Sequence, residues 1–94
     1  MTTTVDTEVK SSFRAGTITG VGEVELVDIP TLTPGYGEAL VRIEATAICT
    51  WEQRTYSGAQ DNKFPFIGGH EVAGTIVSFG PGYRGQLSIG DRVA

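Results

Sequence analysis

The sequence predicts a mainly β fold that contains one short helix. Residues 38–48 alternate between apolar and polar side chains, and a period of two places each set on its own face of a strand. Thirteen glycines among 94 residues fit a β-rich chain with frequent tight turns. Helical character is confined to residues 50–56. We therefore expect an antiparallel sheet with one solvated face.

Two strands are predicted before the clearest one. Residues 8–14 form the first short strand, and the glycine-containing segment 16–22 is expected to end it. Residues 23–28 alternate between acidic and apolar side chains, which indicates a half-buried strand. Prolines and glycines within residues 30–37 then favour a turn-rich connection without regular structure.

Two further strands are predicted after the helical segment. Residues 71–79 are rich in β-branched side chains, which are typical of strands. Residues 90–93 begin another strand pattern, and the sequence stops one residue later. A length of 94 residues suits one domain, so we expect residues 1–94 to form a single, truncated domain.

The helical segment Thr50–Tyr56 carries signals at both of its ends. Thr50 and Gln53 have the spacing of a capping box, and Gly58 is expected to end the helix. Cys49 would then stand just before a helix N-terminus, where the helix dipole favours a thiolate. The alternative is a buried and unreactive cysteine, which is common for free thiols.

The composition excludes several classes of partner. The net charge is −4 and the seven basic residues are scattered, so we expect no nucleic-acid or anionic-membrane partner. A single cysteine cannot form an internal disulfide, which favours a reducing compartment. Residues 1–6 lack the features of a signal peptide, and no apolar run approaches the roughly 20 residues of a membrane span. The sequence thus predicts a cytoplasmic protein.

The candidate chemistry lies in Cys49, His70 and Glu71. Cys49 is the only cysteine, and His70 is the only histidine of the chain. Thiolate, imidazole and carboxylate are the ligand types of catalytic zinc sites, in which one position stays open for water or substrate. Taken alone, a structural histidine is the simpler interpretation of His70. The three residues become a metal site only if the fold brings them together.

A second motif, at residues 80–85, imitates a dinucleotide-binding loop. It reads Gly80-Pro-Gly-Tyr-Arg-Gly85 and follows a predicted strand. The dinucleotide fingerprint requires a helix that begins at the glycines, but Gly90 arrives before two turns could form. Pro81 also removes one amide donor. We interpret this segment as a wide turn between strands and predict no nucleotide site in the chain.

Three ordered blocks of the sequence resemble the N-terminal, GroES-like catalytic domain of the zinc-dependent medium-chain alcohol dehydrogenases and reductases. They are PGYGEALVRIEATAIC at 34–49, PFIGGHEVAG at 65–74 and GDRV at 90–93. Each block alone would be a weak signal, but their order and spacing make the match specific. The resemblance extends from about Glu8 to Ala94.

The resemblance implies a partly open GroES-like β-barrel with an active-site zinc ion at its cleft. Cys49 and His70 match the first two zinc ligands of the family. Glu71 matches the neighbouring carboxylate, which ligates zinc or stands behind it. The remaining ligand and the NAD(P)-binding Rossmann domain would lie beyond Ala94. The full-length protein would be a homo-oligomer that acts on a small alcohol or carbonyl substrate, whereas the isolated chain would be inactive.

The chain departs from the family's pattern beside the cysteine. Family members usually carry a serine or threonine at the position of Trp51, where it takes the alcohol proton, and many carry a histidine at the position of Arg54. An indole donates hydrogen bonds but accepts no proton, and arginine stays charged, so this relay does not carry over. Thr50 is the nearest hydroxyl, and we expect it to belong to the substrate pocket together with Trp51. We expect Trp51 to line the substrate pocket rather than only to fill a hydrophobic gap, and Glu52, which replaces the usual aspartate, to serve structure.

Three hypotheses follow for the function. The first is the zinc-binding part of an NAD(P)-dependent oxidoreductase. The second is a non-enzymatic GroES-like module that serves binding or assembly. The third is a metal-free thiol nucleophile, which requires Cys49 and His70 within hydrogen-bond reach and a third group that orients them.

Overall fold

The computed structural model describes residues 6–60 and 63–94 of the chain. The predicted class, a mainly β chain with one short helix after Cys49, is confirmed. No helix among the described residues is long and apolar enough to cross a membrane. The elements in chain order are β1 (Ser12–Gly20), β2 (Glu23–Pro30), β3 (Ala39–Thr46), α1 (Thr50–Ser57), β4 (Val72–Phe79) and β5 (Arg92–Val93).

The chain divides into two compact units. The hairpin unit consists of residues 12–30 and 46–71 and contains β1, β2 and α1. The sheet unit consists of the described residues among 6–11, 31–45 and 72–94, and it contains β4, β5 and all of β3 except its last residue. The candidate ligands lie in the hairpin unit.

Strands β1 and β2 form an antiparallel hairpin in the hairpin unit. Ile18 lies opposite Val24, and the register shifts between Ile18 and Gly20. The hairpin turns at Gly22, whose φ of 73° lies in the left-handed region that glycine adopts without a steric cost.

The hairpin is tied to the helix and to the loop that carries the candidate ligands. The amide of Ile18 donates to the carbonyl of Phe66, and the amide of Phe66 donates back, both at 2.8 Å. The amide of Gly22 donates to the carbonyl of Tyr56 in α1, also at 2.8 Å. These backbone bonds hold both segments against the hairpin. Among the described residues of the unit, the buried ones are Ala15, Thr17, Ile18, Glu52 and Thr55.

The predicted position of the first strand is wrong. The sequence suggested residues 8–14, whereas β1 begins at Ser12 and continues to Gly20. Glycine weakens an isolated strand, but Gly16 pairs with Leu26 of β2 and remains within the ladder. Hydrogen bonds to a neighbouring strand outweigh the local preference of one glycine. The predicted strands at 23–28, 38–48 and 71–79 are confirmed to within two residues at each end.

The sheet unit contains three strands in the order β3-β4-β5. Strands β4 and β5 are antiparallel, with Gly74 opposite Val93. A side chain at Gly74 would overlap the carbonyl oxygen of Arg42, so glycine allows the backbones to approach closely here. The buried residues that follow Gly74 in β4 are Thr75, Ile76 and Val77.

A polar contact supports the centre of this sheet. The hydroxyl of the fully buried Thr75 donates to the Glu44 carboxylate, and Arg42 forms an ion pair with the same carboxylate at 3.3 Å. The hydrogen bond from Thr75 is the main reason that the pKa of Glu44 lies below its usual value of 4.5. The face of β3 that was predicted to be solvated therefore takes part in the packing, while Ile43 on the other face is 50% exposed.

Residues 80–91 contain turns and bends but no helix, which confirms the interpretation of the glycine-rich motif as a wide turn. The amide of Gly90 donates to the carbonyl of Ile76, and the amide of Ile76 donates to the carbonyl of Asp91. The Asp91 carboxylate accepts the amide of Ser88 at 2.9 Å, so it stabilises the turn.

Substitution of Ile76 by alanine should destabilise the chain by about 2–4 kcal/mol, because the side chain is 1% exposed and its removal leaves a cavity. Ile43→Ala is the matched control, since this isoleucine is half exposed, and its cost should stay below about 1 kcal/mol. Urea unfolding measures both values. Equal losses for the two variants would contradict the assigned core.

Glu44 should make the stability depend on pH. A carboxyl whose pKa is lower in the folded state stabilises the fold above its unfolded pKa, and this contribution disappears as pH falls through the folded pKa. The stability difference between the wild type and Glu44→Gln should thus be largest near neutral pH and shrink below about pH 4.5. Thermal unfolding across this range measures the difference. Parallel curves at all pH values would refute the role of Glu44.

Candidate metal centre

Helix α1 begins at Cys49, which acts as its N-cap. The backbone of Cys49 is extended, with φ −102° and ψ −179°, and its sulfur accepts the amide of Trp51 at 3.3 Å. The Glu52 carboxylate reaches back and accepts the amide of Cys49 at 3.0 Å. Cys49 and Glu52 thus form the capping box that satisfies the first free amides of the helix.

The predicted capping box of Thr50 and Gln53 is wrong by one residue. Thr50 is the first helical residue, and the amide of Gln53 already donates to the carbonyl of Cys49 at 3.3 Å. Glu52 accepts the amides of both Cys49 and Gly69, so the capping box forms one residue earlier than predicted. The predicted helix end is confirmed, since Gly58 adopts the left-handed conformation with φ 84°.

Glu52 connects the start of the helix to the loop that carries His70. One carboxylate oxygen accepts both the amide and the thiol of Cys49, the latter at 2.8 Å, and the other accepts the amide of Gly69 at 2.7 Å. The residue is only 8% exposed. The hydrogen bond from the Cys49 thiol, followed by that from the Gly69 amide, lowers the pKa of Glu52 to about 2, although burial opposes the shift. Glu52 is therefore ionised at neutral pH.

His70 lies beside both Cys49 and Glu52. Its Nε2 is 3.6 Å from the sulfur of Cys49, and its Nδ1 is 3.5 Å from Oε1 of Glu52. Gly69 precedes it with φ 98°, a conformation that other residues rarely adopt. This glycine turns the loop so that its amide faces Glu52 and the next side chain faces Cys49.

The structure brings Cys49, His70 and Glu71 together. One potential ligand atom from each lies within 4.8 Å of the others. The carbonyl of Glu71 accepts the amide of Ala47 at 2.9 Å, which places its segment beside the residues that lead into Cys49. Cys49 is partly buried, while His70 and Glu71 are exposed, so a small molecule could reach the cluster.

The distance between the ligand atoms of Cys49 and His70 fits a shared zinc ion. Zinc binds a thiolate at about 2.3 Å and an imidazole nitrogen at about 2.1 Å, so two such ligands on a tetrahedral ion lie about 3.6 Å apart. The distance from the Cys49 sulfur to Nε2 of His70 is 3.6 Å. The other ring nitrogen faces the Glu52 carboxylate, an arrangement that commonly fixes the orientation of a ligating histidine. A soft thiolate, an imidazole and a carboxylate are a donor set that suits zinc.

The two predicted pocket residues lie directly beside the cluster in sequence. Trp51 is in the first turn of α1 with 44% of its surface exposed, and Thr50 is also exposed. Their contact with a substrate remains a prediction. Sequence reasoning gave Glu52 a structural role but missed that it joins the two ligand-bearing segments. The Cys49-x-x-Glu52 spacing of a capping box was the available signal.

Comparison with known proteins places the chain in a family. Residues 35–94 match the family described as the alcohol dehydrogenase GroES-like domain, and the chain belongs to this family. The L-threonine 3-dehydrogenase of Pyrococcus horikoshii is 43% identical over 74 residues, which cover 74% of this chain and 21% of the relative. The alcohol dehydrogenase of Schizosaccharomyces pombe is 40% identical over 76 residues, which cover 79% and 21%. The chain thus spans about a fifth of the length of these relatives.

A solved structure supports the same assignment. It comes from Sinorhizobium meliloti 1021, is assigned as a zinc-binding dehydrogenase and was determined with bound NADP. The TM-score is 0.76 at 28% sequence identity, with coverage of 88% of this chain and 24% of that chain. The GroES-like fold that the sequence motifs predicted is therefore confirmed.

Proposed function

We propose that this chain is the zinc-binding part of the catalytic domain of an NAD(P)-dependent alcohol dehydrogenase or carbonyl reductase. Cys49, His70 and Glu71 would hold the metal. The observation that carries the proposal is the convergence of these three donors within 4.8 Å, with the Cys49 sulfur 3.6 Å from Nε2 of His70, in a chain of the alcohol dehydrogenase GroES-like family. Zinc when bound would supply Lewis-acid chemistry to an alcohol or carbonyl oxygen.

The residues around the cluster would prepare the ligands for the metal. The amide of Trp51 donates to the Cys49 sulfur, so the start of α1 holds this ligand atom in place. The ionised Glu52 faces Nδ1 of His70 and so leaves Nε2 for the metal. Glu71 is exposed and could bind the metal or give way to a substrate.

Trp51 would shape the pocket without taking part in proton transfer. Its indole can donate a hydrogen bond but accepts no proton, so an alcohol proton would leave through another group or directly to water. A large, half-exposed aromatic side chain beside the ligands favours an apolar part of the substrate.

The nicotinamide cofactor would be bound by a part of the protein outside these 94 residues. The Sinorhizobium protein was solved with NADP, and this chain covers only 24% of its length. Residues 1–94 would then form one incomplete domain of a cytoplasmic, homo-oligomeric enzyme, and the isolated chain would lack activity. The non-enzymatic GroES-like module remains the alternative for a metal-free chain.

The distance between Cys49 and His70 supports a second candidate function, a thiol nucleophile that needs no metal. The sulfur of Cys49 lies 3.6 Å from Nε2 of His70, which is within reach of a hydrogen bond to sulfur. Glu52 could orient the histidine, as a nucleophile–base pair requires. Labelling with iodoacetamide across pH separates the two functions, because a metal-bound sulfur reacts slowly until a chelator removes the metal.

The purified chain should contain about one zinc ion per molecule, and Cys49→Ser and His70→Ala should each lose most of it. Serine is a good N-cap, so Cys49→Ser removes the thiolate ligand but keeps the start of the helix. Thr50→Ala, an exposed position next to the ligand, should retain the metal. Metal analysis by mass spectrometry measures the content. Stoichiometric zinc in both ligand variants would defeat the proposal, and a metal-free ring in light scattering would favour the assembly module.

The isolated chain should show no nicotinamide-dependent activity, because the hydride carrier would be bound elsewhere in the protein. NAD(P)H oxidation with a panel of aldehydes and ketones, followed by absorbance, tests this expectation. A complete alcohol dehydrogenase assayed in parallel provides the positive control. Reproducible oxidation that depends on this chain would show that it carries a cofactor site of its own.

A further inference from the structure

Gly68 lies directly against the side chain of Glu52. A Cβ atom at Gly68 would stand 2.6 Å from Cγ of Glu52, 3.3 Å from Cδ and 3.2 Å from Oε1. A distance of 2.6 Å is well below van der Waals contact between two carbon atoms. Gly68 is not among the residues with positive φ, so its backbone conformation would suit other amino acids. The space that Glu52 occupies is therefore what requires glycine here.

The Glu52 side chain cannot easily move aside to make room for a larger residue at position 68. The glutamate is 8% exposed, and its two oxygens accept hydrogen bonds from the amide and thiol of Cys49 and from the amide of Gly69. The atom that meets residue 68 most closely is Cγ, in the middle of the side chain and not at its free end. A displacement of Cγ would pull the carboxylate away from at least one of its donors.

We propose that Gly68 and Glu52 are a matched pair of positioning residues, in which the absent side chain at 68 makes room for a glutamate long enough to bind Cys49 and Gly69 together. One carboxylate oxygen holds the start of α1, and the other holds the loop immediately before His70. The pair thereby sets the separation between the Cys49 sulfur and the His70 ring. Its effect on metal binding rests on the function proposed above, whereas its effect on the fold does not.

The pair makes a prediction about three variants. Gly68→Ala would push Glu52 out of position, and Glu52→Ala would remove both the link and the Cγ atom that meets residue 68. In Glu52→Ala/Gly68→Ala the steric conflict is absent, so Gly68→Ala should have little further effect in that background. We expect each single variant to weaken zinc binding about 10- to 100-fold, and the double variant to weaken it by clearly less than the product of the two.

The experiment measures zinc affinity of the four proteins by competition with a chromophoric chelator, and the stability of the metal-free proteins by urea unfolding. Cobalt substitution adds a thiolate charge-transfer band that reports the geometry at the Cys49 sulfur. Gly16→Ala is the matched control, because nothing lies within 4 Å of a Cβ at that position, and it should leave affinity and spectrum unchanged. A cobalt spectrum that changes in Gly68→Ala, and that is the same in Glu52→Ala with and without Gly68→Ala, supports a positioning role.

This experiment distinguishes a failure of the Gly68–Glu52 pair from a failure of the proposed zinc site. A wild-type chain that binds no zinc would refute the zinc site, while unfolding of the metal-free proteins would still test the pair. If Gly68→Ala does not fold but the double variant does, the pair is supported. Wild-type behaviour of Gly68→Ala, or losses that multiply in the double variant, would overturn it.

Discussion

The carboxylate of Glu52 is the contact on which the candidate metal centre depends. It accepts hydrogen bonds from Cys49 at the start of α1 and from Gly69, which lies seventeen residues after Glu52. A buried carboxylate is costly unless donors surround it, and here an amide and a thiol on one side and an amide on the other meet that requirement. Those donors also hold its pKa at about 2, so the residue stays charged at neutral pH. The same contacts that satisfy the charge place a thiol and an imidazole side by side.

Membership of the alcohol dehydrogenase GroES-like family and the geometry of the cluster agree with each other, although they rest on different observations. The family match depends on residues 35–94 as a whole, whereas the cluster depends on three side chains. Trp51 distinguishes this chain from the usual pattern, because an indole replaces a hydroxyl that could pass on a proton. The proposed chemistry therefore keeps the metal of the family but needs another path for the alcohol proton.

Local sequence signals correctly predicted those secondary-structure elements that depend mainly on their own residues. Alternation in residues 23–28, β-branched side chains in 71–79 and a glycine at position 58 indicated two strands and a helix end, and the structure has all three. The first strand was misplaced, because a glycine at position 16 reads as a break until β2 pairs with it. The N-cap was misplaced for a related reason. Thr50 is the better cap by intrinsic preference, but Glu52 forms its box with Cys49 while it binds a distant loop.

The amino-acid sequence by itself determined the types of the candidate ligands, their order, the mainly β class and the resemblance to a dehydrogenase family, since all of these are written in residue identity and spacing. Tertiary structure alone decided that Cys49 meets His70 and Glu71, twenty-one and twenty-two positions away, within 4.8 Å. It also decided that Glu52 lies between Cys49 and Gly69, and that the absence of a side chain at Gly68 leaves room for Glu52. Distances across such separations depend on how the hairpin, the helix and the loop pack together, and short-range preferences do not specify that packing.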